Sequence, residues 1–384
     1  MTAVSLAPGR PRILALDSIR GAIMVLMAID HVRVYAAVPA GGPTPGVFFT
    51  RWITHFCAPG FVFLAGTAAY LYGRKLADRN ALTRFLLLRG AWLVLLELTL
   101  LRLAWTFNFD YAHYLLAGVI WMLGWCMILL ALLIRLPLWA VSVFGLSVVA
   151  LHNLTDLIPH LADTAQHSAA APLWQLLYFG GAIGPLAVLY VIVPWIGVMA
   201  LGYAFGNWFE RSPAERRTRC LAWGVGAMLL FLVLRAFNLY GDPRPWSPER
   251  PLGFLATNKY PASLLFLLMT LGPIVALVPL LERARGWWTD RLAVFGRVPL
   301  CYYLLHIPLI HGLALLVALV RSPQALSWLF GNLPVAPPEV PPGYRWSLGL
   351  LYLVFALAVT LLYFPCQWFA GLKARRSDPW LRYL

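Results

Sequence analysis

Two residue types able to do chemistry stand eleven positions apart in the first hydrophobic stretch, Arg20 and His31. Eleven residues at 100° each make three helical turns plus roughly 20°, so both side chains would share one face, roughly 16 Å apart along the axis. Asp17 falls near the same stripe. Guanidinium holds anionic groups, and neutral imidazole accepts a proton near pH 7. Ionisable groups are expensive in hydrocarbon and tend to mark sites. Asp30, about 100° round the helix from His31, points elsewhere and suits a pairing with Arg33 or with another helix. The plainer reading is that Arg20 and His31 only anchor the two ends of a span. A second histidine, His55, opens the next hydrophobic stretch as Thr54-His55-Phe56-Cys57-Ala58-Pro59-Gly60. At a depth like that of His31, it would serve as base or as orienting partner. Asp30, His31 and His55 are therefore the candidate catalytic residues.

The remaining candidates are more scattered. Lys259 and Tyr260, within Thr257-Asn258-Lys259-Tyr260-Pro261-Ala262-Ser263, and Trp246 in the preceding polar loop are candidates for holding a substrate such as a sugar. Interface anchoring explains them equally well. Glu97 and Arg102 are not at i,i+4 spacing, and a structural role is the expectation. His306 and His311 are five apart and do not face one way, and the five cysteines show no CxxC pair, so no metal site is expected.

Composition dictates what must position these residues. The chain is 61% hydrophobic and only 12% charged, with a mean hydropathy of +0.74, against ~25% charged in soluble domains. Lipid must be the solvent, which leaves helices or a closed barrel. Unbroken apolar runs such as Leu86 to Leu101 and Leu221 to Leu234 suit helices rather than alternating strands. The expectation is an all-α polytopic membrane protein of about ten transmembrane helices, at 13–38, 54–73, 82–105, 112–134, 137–154, 183–206, 216–239, 262–282, 293–320 and 347–370. The whole chain, 1–384, reads as a single membrane domain without internal repeats.

The net charge of +15 is spread between the spans, so it reads as a topology signal and not as a nucleic-acid surface. Basic loops carrying Arg74, Lys75 and Arg79, then Arg135, Arg211 to Arg219, Arg283 to Arg291 and Lys373 to Arg376 alternate with longer loops at 39–53, 155–182, 240–261 and 321–346. The positive-inside rule then puts both termini in the cytoplasm. That topology turns Arg20 towards the cytoplasm and His31 outwards. A signal-peptide reading of Arg10, Arg12 and the following apolar stretch is disfavoured by Asp30, His31 and Arg33. A short interfacial helix is expected at 173–179, and the prolines of 334–342, Pro337 among them, favour extended backbone.

Asp17-Ser18-Ile19-Arg20-Gly21 followed by His31 resembles the first-helix signature of transmembrane acyltransferases. With Asp30-His31, His55 through Gly66, Pro194-Trp195-Ile196-Gly197-Val198-Met199, Gly202-Tyr203, Lys259-Tyr260-Pro261, Leu268 through Pro273 and Tyr303-Leu304-Leu305-His306, the ordered set resembles the bacterial branch of the heparan-alpha-glucosaminide N-acetyltransferase catalytic-domain family. The resemblance implies a transmembrane acyltransferase-like bundle in a bacterial inner membrane. It implies an acyl-CoA donor, acetyl-CoA foremost, on the cytoplasmic side and an extracytoplasmic glycan or other small acceptor. It places His31 in the catalytic centre and gives Arg20, with Asp17, to the donor. One departure is visible: the heparan enzyme's histidine precedes its second span, and here Gly41 to Arg51 has none.

A thioester is already activated, so such an enzyme needs an acceptor held in place and a base for its proton; a covalent acyl-imidazole is the alternative route. Arg74, Lys75, Arg79, Arg84 and Arg89 are candidate ligands for the CoA phosphates, or else topology determinants only. The rival function is a proton-coupled transporter or flippase, with Arg20, Asp30, His31 and Glu97 as its path; it predicts inverted repeats that this chain lacks.

Overall fold

A computed structural model describes residues 13–384 apart from 77, 159, 332, 336, 337, 377 and 384. Arg10, Arg12 and Pro337, which entered the reading above, lie outside the described residues. Six of the described helices are long and apolar enough to cross a bilayer: Pro45–Gly73, Leu138–Leu157, Pro213–Ala236, Leu264–Arg283, Pro299–Arg321 and Leu348–Arg375. The first helix, Leu14–Tyr35, and the helix from Arg79 to Thr106 carry the intramembrane charges. Large apolar side chains project outward, among them Leu353, Phe364 and Trp368 on one helix and Trp223 and Leu229 on another. Water would penalise such a surface and lipid does not. The protein is a multi-pass helical membrane protein.

Local signals start several helices. Asp78 accepts from the Asn80 amide, Ser212 from Glu215 and Ser347 from Leu350, each satisfying an orphan donor of a first turn. Four expected spans are corrected. The 293–320 span is two helices, Trp287–Arg297 and Pro299–Arg321, because Pro299 has no N–H to continue the first and is suited to open the second. The 82–105 helix runs from Arg79 to Thr106 through a π turn at Glu97–Leu101. The 112–134 and 183–206 spans shorten to Val119–Leu133 and Val193–Gly206, since strands precede each. β1 (Leu115–Ala117) pairs in parallel with β3 (Leu186–Val188), and β3 pairs antiparallel with β2 (Gly181–Ile183). The β2–β3 turn is Gly184-Pro185, with Gly184 at φ +56°, a conformation that suits glycine. Between the spans, the helix expected at 173–179 is present as Ala171–Trp174 and a π turn Gln175–Phe179. The 321–346 segment also holds a short helix at Leu326–Gly331, ahead of the prolines of 334–342.

The chain forms two compact units. The first contains Ala58–Glu97 and Leu115–Arg283. Within it Pro213–Ala236 packs on Leu264–Arg283, Arg79–Leu96 on Val119–Leu133, and Val193–Gly206 on Leu138–Leu151. Gly66 and Gly202 lie so close to the facing backbones of Met199 and Phe63 that a Cβ at either position would collide. Small residues permit this approach between membrane helices. The small sheet belongs to this unit.

The second unit contains Leu14–Cys57, Leu98–Tyr114 and Ala284–Leu384. Its first helix packs against Trp287–Arg297, Pro299–Arg321, Leu348–Arg375 and the 3₁₀ turn Ile53–Phe56. The helix Arg102–Thr106 packs on Pro299–Arg321. These contacts surround the first helix with side chains from distant parts of the chain.

Candidate active site

The second unit holds a cluster of groups able to move a proton. His31, half-buried on the first helix, places Nδ1 2.5 Å from Nε2 of His306 on the Pro299–Arg321 helix. The rings lie at a centroid distance of 4.7 Å and an angle of 27°. His306 is wholly buried, and its Nδ1 stands 2.6 Å from the carbonyl oxygen of Tyr303. Trp105 meets the His31 ring edge-on at 4.9 Å and Tyr303 does so at 6.4 Å. Tyr302 stacks on His306 at 5.4 Å. Aromatic walls of this kind restrict both rings to few rotamers. His311 does not join them: it stacks between Tyr35 at 4.7 Å and Phe107 at 4.0 Å.

Asp30 turns from the histidines, as its angle on the helix requires. Its carboxylate takes Nε of Arg33 at 2.8 Å and Nη1 of Arg51 at 3.1 Å. Arg51 also reaches the Thr54 hydroxyl at 3.0 Å, and Arg33 reaches the carbonyl of Val38 at 2.8 Å. Asp30 thus ties the C-terminal end of the first helix to the Pro45–Trp52 helix. His55 lies in the Ile53–Phe56 turn that packs against the first helix.

At the other end of the first helix, Arg20 donates to Asp17 at 3.3 Å and to the Gly296 carbonyl at 3.0 Å. Gly296 is near the C-terminus of Trp287–Arg297, where the helix dipole favours a cation. Ser18 donates to the Thr289 carbonyl at 3.2 Å. A Cβ on Gly21 would meet the Leu292 carbonyl, and one on Gly296 would meet that of Asp17. The Asp17–Gly21 motif is therefore also a helix-crossing motif, which requires glycine on both sides.

Apart from Arg102, the other predicted residues belong to the first unit. Arg74 and Arg79, with Asp78, Tyr70 and Tyr203, line a cleft of about 310 Å³, and Arg74 pairs with Glu210 at 2.6 Å. Lys75 and Arg84 are exposed and Arg89 is half-buried. Lys259 is buried beside Tyr260 and Tyr190, its ammonium 5.2 Å and 6.0 Å from their ring centres, in cation–π range. Tyr260 and Tyr190 meet edge-on at 5.2 Å. Trp246 is engaged by Phe254 at 5.1 Å. Glu97 caps a helix start: its Oε2 accepts from Ile120 N at 2.8 Å and Trp121 N at 3.1 Å.

Sequence reasoning missed His306 as the partner of His31, and Arg51 and Trp105 near the same helix end. Tyr303-Leu304-Leu305-His306 was visible as a motif, but nothing in spacing links it to a residue 275 positions away. Arg51 carried a weak signal, as an isolated cation in the 39–53 loop.

No curated protein matches the chain. The family model described as heparan-alpha-glucosaminide N-acetyltransferase, catalytic, matches residues 12–236. The match takes in Arg20, Asp30, His31 and His55 and ends before Lys259 and His306. Spanning more than half of the protein, from the charged first helix through Pro213–Ala236, it shows that this chain belongs to the heparan-alpha-glucosaminide N-acetyltransferase catalytic-domain family, a membrane acetyltransferase-type family.

Proposed function

We propose that this protein transfers an acyl group, acetyl in the first instance, from acyl-CoA at the cytoplasmic face of a bacterial inner membrane to a hydroxyl or amine of an extracytoplasmic acceptor, a sugar by preference. The observation that carries this reading is the half-exposed His31, on the charged first helix of a member of this family, with one ring nitrogen engaged by His306. In the reaction the acceptor heteroatom attacks the thioester carbonyl carbon as its proton passes to Nε2 of His31, the ring nitrogen that does not face His306. The carbon–heteroatom bond forms, the carbon–sulfur bond breaks, and CoA leaves as thiolate, which takes up the proton. A positioned imidazole of this kind contributes ~10²–10⁴-fold. Arg20, with Asp17, would help hold the donor. The cleft lined by Arg74 and Arg79 supports a place for phosphate groups in the first unit, with Lys75, Arg84 and Arg89 as further cations.

The test is transfer of labelled acetyl from acetyl-CoA to candidate amino sugars by the purified protein in detergent, alongside His31→Ala and His55→Ala. Wild-type protein should transfer, and His31→Ala should lose on the order of 10²–10⁴-fold in kcat. Absence of transfer and of hydrolysis with every acyl donor, together with solute flux in vesicles, would favour the transporter and end the enzyme reading. Wild-type transfer by His31→Ala would remove His31 from the chemistry while leaving the class intact.

A further inference from the structure

We propose that His306 is a positioning residue: by accepting a hydrogen bond from Nδ1–H of His31, it fixes that ring in the tautomer whose Nε2 holds the lone pair of the base. This rests on the reading of His31 as the base of acyl transfer. The direction of the hydrogen bonds follows from the atoms at the inner end of the chain. Nδ1 of His306 lies 2.6 Å from the carbonyl oxygen of Tyr303. A carbonyl only accepts, so that nitrogen carries hydrogen. A neutral imidazole has a single N–H, which leaves Nε2 of His306 with its lone pair. That lone pair faces Nδ1 of His31 at 2.5 Å. Nδ1 of His31 must then donate, and the remaining lone pair of the pair of rings sits on Nε2 of His31.

The opposite polarity needs a second hydrogen on His306. That would place a charged ring at a wholly buried position, an expensive arrangement without a counter-ion. Asp30, the carboxylate next to His31 in sequence, is already committed to Arg33 and Arg51. The pair is also mechanically fixed. His306 is held by the Tyr303 carbonyl of its own helix and stacked on Tyr302 at 5.4 Å, while Trp105 meets the His31 ring at 4.9 Å. A buried acceptor behind a base does two things: it sets the tautomer and stabilises the imidazolium that forms on proton transfer. His306 has no contact with the acceptor's proton in this scheme; it acts through His31.

The tautomer is read without turnover. Protein labelled with ¹⁵N-histidine would be examined by NMR in lipid nanodiscs, with signals assigned through His31→Gln and His306→Gln. Both rings should be Nδ1–H in the wild type. In His306→Leu, His31 should move to the Nε2–H form, and kcat should fall on the order of 10²-fold with the KM for the acceptor unchanged. His306→Gln, whose amide oxygen accepts a hydrogen bond, should recover most of the rate, an effect that a space-filling role would not produce. A wild-type His31 in the Nε2–H form, a doubly protonated His306, or a His306→Leu protein with wild-type kcat and tautomer would each overturn the proposal. Should His306→Leu fail to fold, the wild-type spectrum and His306→Gln still decide. Correct tautomers in a wild-type protein that transfers no acyl group would sink the acyl-transfer reading and leave the hydrogen-bond direction standing.

Discussion

Replacing Arg102 with methionine keeps an unbranched apolar stem and removes the guanidinium. Arg102 is 1% exposed near the C-terminal end of the helix from Arg79 to Thr106, and it holds a whole loop. Nε donates to the Tyr114 carbonyl at 3.0 Å, Nη2 to that of Asp110 at 2.5 Å, and Nη1 to the Asn108 carbonyl and to the Thr106 hydroxyl at 3.2 Å. The guanidinium also lies 4.6 Å over the Tyr111 ring. The Tyr114 bond is buried, so its carbonyl loses a partner outright, at about 1–3 kcal/mol. The Asn108 and Asp110 carbonyls can turn to water, at roughly 0.5–1 kcal/mol each, and the ring contact adds about 0.5–1 kcal/mol. The sum is about 2.5–6 kcal/mol, or a fall of roughly 3–7 °C in the melting midpoint of a chain this long. Thermal unfolding of the purified protein measures it, with Arg102→Lys as an intermediate because one ammonium cannot span three carbonyls. A midpoint within about 1 °C of wild type would refute the clamp. So would lost acyl transfer at unchanged stability, which would make Arg102 part of the chemistry.

Glu97→Gln and Glu97→Leu should separate in the same assay. Glutamine keeps an acceptor for the Ile120 and Trp121 amides and should cost about 1 kcal/mol. Leucine leaves two buried donors without a partner and should cost about 2–4 kcal/mol; equal melting points would show that the cap carries no weight. Tyr178, in the 155–182 loop, donates to the His152 carbonyl at 2.9 Å, and burial pushes its hydroxyl up to about 12. A raised folded value means stability that is complete below the ordinary tyrosine range near ~10 and is lost as pH climbs from there towards about 12. Melting midpoints over that alkaline window should fall more steeply in wild type than in Tyr178→Phe; parallel curves would exclude the contribution.

Within the first helix much was legible before folding. Arg20 and His31 share a face because 3.6-residue periodicity is a local rule, and the same rule set Asp30 apart and paired it with Arg33. The helix starts at Asp78, Ser212 and Ser347 are likewise written in residue type. The helix breaks were less legible, because an apolar run has one hydropathy whether or not Pro299 divides it or Gly184-Pro185 folds it into a hairpin.

The sequence by itself determined that lipid is the solvent, that helices are the answer, and that a cation and an imidazole lie along one face of the first. It determined these because burial preference and helical period act over neighbouring residues. Only the tertiary structure decided what faces the imidazole. His306 reaches His31 across 275 residues, Thr289 reaches Ser18 across 271, and Arg51 takes the second oxygen of Asp30. Such pairings depend on how helices cross, which is set by side-chain packing between helices and leaves no period in the chain. The face shared by Arg20 and His31 was readable from the residues of the first helix; the partner that gives its histidine a direction was not.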